Sequence, residues 1–201
     1  MKSLQKTFIN SPMDISVVIP IYMNEQFIKE LVSRLALTLT KISGNFEIIF
    51  VDNSSTDGTK EFLESVAKDK LNVKVIFNEM NLGFPKAINQ ALAKSNGSYV
   101  VVVNNDIVVT SGWLERMIAV ADSDNSVGIV GPISNEVSGL QKDNEAKYKS
   151  VEEMHDYAEQ VASKNKGQTL NFPRVAFLCT LIKKELIDKI GGLDERFSPG
   201  N

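Results

Sequence analysis

The chain has 201 residues, with 22 Lys and Arg against 25 Asp and Glu and a formal charge of -3. That length fits one domain with a core of its own, and a near-balanced charge without a long basic run argues against electrostatic capture of nucleic acid. The opening MKSLQKTFINSPMD lacks the apolar stretch of a signal peptide and no segment approaches the roughly 20 apolar residues that span a bilayer, so a soluble cytoplasmic domain is expected, at most peripheral at the cytoplasmic membrane face.

Residues 15–20 (ISVVIP) form a short β-branched run closed by proline, which predicts a strand, and residues 26–40 carry Phe27, Leu31, Leu35 and Leu39 at helical spacing. A second strand, residues 46–51, stops at Asp52. SSTDGT then leads into a helix bearing Phe62, Leu63, Val66 and Ala67, with Ser54 and Asp57 at the spacing of a capping box. Residues 73–77 make a third strand. The loop NEMNLGF enters a helix with Pro85 in its first turn and Ala87, Ile88, Ala91 and Leu92 as its apolar stripe, closed by Asn96-Gly97. The organising stretch follows: residues 99–103 (YVVVV) are strand-favouring without polar alternation, which predicts a strand buried on both faces. It ends abruptly in Asn104, Asn105 and Asp106 before residues 107–109 resume an apolar run, a pattern that also suits a turn between two short strands. Beyond lie a helix at 112–121, a short strand at 127–130, and a polar stretch, 133–171, holding one helix at 151–162 that opens on a Ser150 and Glu153 capping box. RVAFLCTLI returns to the core with the single cysteine, Cys179, read as a small buried residue rather than a nucleophile. A last helix, 184–190, is closed by Gly191-Gly192.

Repeated strand and helix units of this length imply parallel pairing through right-handed crossovers. The expected fold is α/β, a doubly wound and mostly parallel sheet with helices on both faces, ordered 3-2-1-4 by analogy. One domain, 1–201, is expected, with 133–171 as a variable insertion that is a lid, an acceptor-facing excursion or a flexible segment.

In such sheets ligands sit at the carboxyl ends of the strands. Here those ends read Pro20-Ile21-Tyr22-Met23-Asn24-Glu25, Asp52-Asn53-Ser54, Asn78 with Asn81 and Gly83, and Asn104-Asn105-Asp106. Each alone is ordinary loop chemistry. Together, loops that mix carboxylates, amides, an aromatic ring and a glycine describe a site for a polar ligand. The first strand is followed by PIYMNE rather than G-x-G-x-x-G, which excludes an ordinary dinucleotide-binding site, and no P-loop is present. Without a glycine cradle or a dense basic patch, a diphosphate would need a divalent cation. Asp106 is the best-placed carboxylate to hold one, and oxygen ligands favour Mg2+ or Mn2+.

The ordered set VVIPIYMNE, VDNSSTDGT, NLGFPKAIN, VVNNDIVV and GGLDERFSPG resembles the family-2 glycosyltransferases, from residue 15 to the last and more thinly between 133 and 171. The resemblance implies an inverting, metal-assisted enzyme of the A-type glycosyltransferase fold, moving a sugar from a nucleoside diphosphate donor to a glycan, lipid or protein hydroxyl. Carried over by position, Pro20, Tyr22 and Glu25 would line the nucleoside pocket and Asp52 would meet the base, favouring a UDP- or dTDP-sugar. Asn81, Gly83 and Lys86 would lie beside ribose and diphosphate, Asn104 and Asn105 would belong to the same donor site, and Asp106 would hold the metal.

Two departures stand out. The family's metal motif is typically D-x-D, whereas its first position here is Asn104, which weakens the grip on a cation. In this family GGLDERFSPGN is normally followed by an acidic segment that supplies the catalytic base, so that base is expected beyond Asn201, and these 201 residues alone are expected to bind donor without transferring sugar. Asp194 and Glu195 suit structural work. His155 is expected in a solvated position on the insertion helix, and Trp113 could serve either the core or an acceptor sugar. The alternative to the enzyme is a non-catalytic nucleotide-sugar-binding or docking module.

Overall fold

The computed structural model describes residues 15–39, 45–69 and 72–198. The lead of residues 1–14, Thr40 at the end of the first expected helix, and the closing residues 199–201 lie outside them. A six-stranded sheet forms from β1 (Ile15–Ile21), β2 (Phe46–Asp52), β3 (Val73–Phe77), β4 (Tyr99–Val103), β5 (Ile129–Val130) and β6 (Cys179–Lys183), in the order β3-β2-β1-β4-β6-β5. The expected 3-2-1-4 order is therefore present, with parallel pairing throughout it. β6 runs antiparallel to both β4 and β5. The chain re-enters from the edge at which β4 leaves, as the pairing of Val103 with Cys179 requires.

Helices α1 (Glu25–Leu39), α2 (Thr59–Asp69), α3 (Phe84–Leu92), α4 (Trp113–Ser123), α5 (Val151–Lys164) and α6 (Lys184–Ile190) complete the order. Because successive strand side chains point to opposite faces, each apolar strand feeds two cores. Val101 and Val103 pack with Ile28, Leu31, Leu35, Leu63, Leu114 and Ile118 on the face covered by α1, α2 and α4. Val100 and Val102 pack with Ala87, Ile88, Ala91 and Leu92 of α3 on the other.

Local differences from the expected elements have identifiable causes. Residues 107–109 form no strand; Val109 instead turns into the core beside Trp113. The strand expected at 127–130 is confined to its last two residues, since it pairs only with β6. Ser54 takes no part in a capping box. It is left-handed (φ 68°) and its hydroxyl donates to the Glu79 carbonyl at 3.3 Å, while Asp57 caps α2 by accepting from the Thr59 N–H (3.3 Å) and hydroxyl (2.6 Å). The Ser150 cap of α5 is present, accepting from the Glu153 N–H at 3.2 Å, but the Glu153 carboxylate accepts from Lys149 N–H at 2.7 Å.

α3 ends at Leu92, short of Asn96-Gly97, through 3₁₀-type bonds from Lys94 N–H to Ala91 and Ser95 N–H to Leu92 carbonyls. Gly97 answers a different need. A Cβ there would lie 2.5 Å from the backbone nitrogen of Ser16 and 2.7 Å from the carbonyl carbon of Ile15, so the approach of this loop to β1 requires its absence. Gly97→Ala is expected to lower unfolding free energy by about 1–3 kcal/mol, as overpacking against rigid backbone does. Urea denaturation measures this, and an unchanged midpoint would show that the loop relaxes away at no cost.

Candidate functional site

β1 pairs with β2 along its whole length, Ile15 with Phe46 through Ile21 with Asp52, but with β4 only from Ile15 to Val18. Past Val18 the two strands part. The chain's order reverses at this point in the sheet, and such switch points open the crevice in which α/β proteins bind ligands. Pro20 lies beyond the end of the β4 ladder, so its missing N–H removes no bond to that strand.

The loops after β1 and β2 are sewn together. Met23 N–H donates to the Ser55 hydroxyl (2.9 Å), the Thr56 hydroxyl to the Met23 sulfur (3.1 Å), and Glu25 N–H to the Asp57 carboxylate (3.0 Å). Burial pushes the Asp57 carboxyl up, but the bonds from Thr59 and Glu25 outweigh it and hold the group below its ordinary value. Met23 (φ 54°) and Ser54 (φ 68°) are non-glycine residues in left-handed conformation. Such strain persists where surrounding structure enforces it, and it clusters at binding sites.

Asp52 is buried at the end of β2, and Ser55 N–H reaches both its carboxylate oxygens at 3.3 Å. Beside it an amide network joins β2, β3 and α3. Asn78 Nδ2 donates to Asn53 Oδ1 (2.8 Å) and Gln90 Oε1 (2.9 Å), Gln90 Nε2 returns a bond to Asn78 (2.8 Å), and Asn53 Nδ2 donates to the Gly83 carbonyl (3.4 Å). Asn81 Oδ1 accepts from the Gly83 N–H at 2.9 Å, and Gly83 opens α3 with φ 80°, a conformation that favours glycine. Tyr22 and Lys86 are exposed. Glu25 is half-buried, its carboxylate paired with Lys29 at 2.5 Å and lying over Gly58. At the end of β4, Asn104 N–H donates to the Leu178 carbonyl (2.9 Å), Asn105 is half-buried, and Asp106 is exposed in the turn that follows.

Residues 16–191 match the family model described as glycosyl transferase family 2. The chain belongs to this family. Similar proteins include an uncharacterized glycosyltransferase of Haemophilus influenzae, 30% identical over 61% of this chain and 36% of its own length, and poly(ribitol-phosphate) beta-N-acetylglucosaminyltransferase TarS of Staphylococcus aureus, 36% identical over 57% of this chain and 20% of its own. The chain thus spans well under half the length of these curated relatives. Among solved structures, the mannosyltransferase PcManGT of Pyrobaculum calidifontis, in complex with GDP-Man and Mn2+, superposes with a TM-score of 0.63 at 20% identity, covering 96% of this chain and 52% of that one. S. aureus TarS 1-349 in complex with UDP-GlcNAc gives 0.58 at 25% identity, covering 88% and 47%. The fold is that of the A-type glycosyltransferases.

Within this family-2 domain the donor set at the β4 end suits a cation shared with a ligand. Asn104 Oδ1 is buried without a hydrogen-bond partner among the described residues, and Asp106 offers an exposed carboxylate nearby in sequence. No group of three or more His, Cys, Asp or Glu side chains gathers among the described residues. A site with one carboxylate and one amide oxygen fits Mg2+ or Mn2+, which are commonly held by one or two carboxylates plus substrate phosphates. Cys179 is buried and its thiol pushed up to about 12 by that burial, so it is core and no nucleophile. His155 is half-buried rather than fully solvated, with Arg34 at 2.9 Å from its Nε2. Trp113 packs in the core, though its Nε1 has no partner among the described residues. No described helix is long and apolar enough to cross a membrane.

Gln90 and Asn89 escaped the sequence reading. Their one signal was an amide pair between Ile88 and Ala91, on a helix whose stripe is otherwise apolar.

Proposed function

We propose that this domain binds a nucleoside diphosphate sugar across the parted ends of β1 and β4 and serves metal-assisted, inverting transfer of the sugar to an acceptor hydroxyl. The observation that carries the proposal is the placement of the buried Asp52 carboxylate, at the end of β2, and the Asn104-Asn105-Asp106 triplet, at the end of β4, on the same edge of the sheet. In support, TarS has been solved with UDP and with UDP-GlcNAc, and a mycobacterial glucosyl-3-phosphoglycerate synthase with UDP and Mn2+.

In this reading Pro20, Tyr22 and Glu25 border the nucleoside and Asp52 accepts from the imide N–H of a pyrimidine base. Asn81, Gly83 and Lys86 face ribose and diphosphate, with Lys86 exposed and in no ion pair among the described residues. Asn104, Asn105 and Asp106 stand at the sugar end. A bound cation would supply Lewis-acid neutralisation of the departing diphosphate. The acceptor oxygen attacks the anomeric carbon in line, the bond to the diphosphate oxygen breaks, and the acceptor proton passes to a base. Neither Asp194 nor Glu195 is assigned that role: Asp194 is paired with Arg196 at 2.6 Å, and Glu195 accepts from Asn89 at 3.0 Å.

Binding of a ligand to the native state raises its stability, so a thermal-shift panel of nucleoside diphosphates with and without Mn2+ tests the proposal. UDP and dTDP are expected to bind at least about 10-fold more tightly than ADP or GDP, and Asp52→Asn to erase the difference, because a mispaired base edge leaves a buried group unsatisfied. Equal affinity for all bases, or a guanosine preference, removes Asp52 from base recognition. Asn104 in place of a metal-motif carboxylate favours a second reading, a domain that holds nucleotide without turnover. UDP binding without donor cleavage in the full-length protein, across an acceptor panel, would select it.

A further inference from the structure

Asn89 stands in the middle of α3, yet its side chain is committed to a segment 104 residues further on. Its Nδ2 donates to the Leu193 carbonyl at 2.8 Å, and the Leu193 N–H donates back to its Oδ1 at 2.8 Å, which reproduces on a side chain the two-bond pairing of a β-ladder. The same Nδ2 reaches the Glu195 carboxylate at 3.0 Å. Gly192 makes the approach possible, since a Cβ there would overlap Asn89 Oδ1. Leu193 packs with the core cluster of α3, and five residues later the Ser198 hydroxyl donates to the Leu82 carbonyl at 3.4 Å. The segment from Gly192 to Ser198 therefore runs as a strap from the end of α6, along α3, to the loop that carries Asn81 and Gly83. Phe197 is 74% exposed on it.

An asparagine is a poor choice for a helix interior if packing were all that the position required. Both polar atoms of Asn89 bond to the strap and neither bonds within α3. α3 is thus a rigid element with the loop at its start and the strap fixed to its middle, so a displacement of one is carried to the other.

We propose that Asn89 is a positioning residue for glycosyl transfer: it registers the Leu193–Ser198 strap, as a wall of the cleft, against the loop that holds the donor diphosphate. This rests on the donor reading of Asn81, Gly83 and Lys86 given above. The strap then borders the side from which an acceptor reaches the sugar, and its place depends on α3 rather than on its own short 3₁₀ turn (Glu195–Phe197).

Hydrogen exchange of the full chain, read at the amides of 193–198 and along α3, tests it in two variants that attack the contact from opposite sides. Asn89→Leu removes the bonds and keeps the branched outline of four heavy atoms; Gly192→Ala leaves Asn89 in place and drives the strap off it. Without ligand, each is expected to speed exchange in the strap by about 10-fold or more, as loss of the hydrogen bonds to Asn89 predicts, while the Ile88 and Ala91 amides keep their protection. Affinity for UDP with Mn2+ is expected to stay within about 3-fold of wild type, because the strap rather than the donor loop is released. Saturating UDP and Mn2+ should slow strap exchange further in wild type and leave it unmoved in both variants, a response that a merely structural contact would not show. Unchanged strap exchange in Asn89→Leu, or a ligand response retained by both variants, overturns the proposal. So does loss of UDP affinity together with exchange along all of α3, which would make Asn89 part of the fold or of the donor site itself. If wild type binds no UDP, the donor reading fails and the positioning role with it, whereas the ligand-free comparison still decides whether Asn89 holds the strap.

Discussion

Asp106→Ala is expected to abolish the part of UDP affinity that depends on Mn2+, a loss on the order of 10²-fold, given that removing even an outer-shell partner of a metal ligand costs 10–100-fold. Asp106 is the only carboxylate of its triplet, and it is exposed in a turn, so its removal carries little packing penalty. Asn104→Asp supplies the opposite perturbation. Asn104 Oδ1 is buried without a partner among the described residues, so a carboxylate there is an uncompensated buried charge until a cation reaches it. The variant should melt below wild type in EDTA and gain more than wild type does from Mn2+. A thermal-shift titration of Mn2+, with and without UDP, reads both. An Asp106→Ala protein whose UDP response still rises with Mn2+ would place the cation elsewhere.

The sheet was legible because its strands are apolar runs of the right length, and Val100 to Val103 must be buried on both faces wherever they pack. Direction was not legible in β6, since CTLIK reads alike as a parallel or an antiparallel strand; the insertion decides it by delivering the chain to the carboxyl edge. Asn96-Gly97 carried a true signal attached to the wrong cause. The glycine serves close approach to β1 rather than the end of α3. Ser54 had capping-box spacing, but Asp57 stands nearer the helix start and takes the cap. At the site, each strand end could be read by position, because a polar residue that stops an apolar strand marks the edge where ligands sit. The bonds that shape the site could not. Gln90 meets Asn78 and Asn89 meets Leu193 only once the chain is folded, and nothing in a single sequence pairs amides across such separations.

Glu47→Ala is expected to destabilise the protein by about 3 kcal/mol, the range for breaking a buried charge network by removing one member. The Glu47 side chain, 2% exposed, lies near the start of β2, at the sheet edge opposite the site. It accepts from the Ser16 hydroxyl of β1 (2.7 Å), from Lys74 Nζ of β3 (2.5 Å) and from the Asn96 N–H (2.8 Å), while Ser16 Oγ in turn accepts from the Gly97 N–H (2.9 Å). One carboxylate thus joins three strands to the loop that launches β4. Its loss strands the Asn96 N–H and the Ser16 hydroxyl, while Lys74, nearly half exposed, turns to water and softens the penalty. Burial alone would push the Glu47 carboxyl up, yet the bonds from Lys74, Asn96 and Ser16 outweigh it and hold the group below its ordinary value. A folded-state pKa below the unfolded value of about 4.3 means stability that is present above that pH and drains away as pH falls through the folded value. Glu47→Gln, which keeps the shape without the titration, should therefore lose stability at pH 7 and show a flatter decline between about pH 5 and 3 than wild type. Urea midpoints across that range decide it: parallel declines in the two proteins would mean that acid sensitivity arises from other carboxylates, with Asp57 the next to replace.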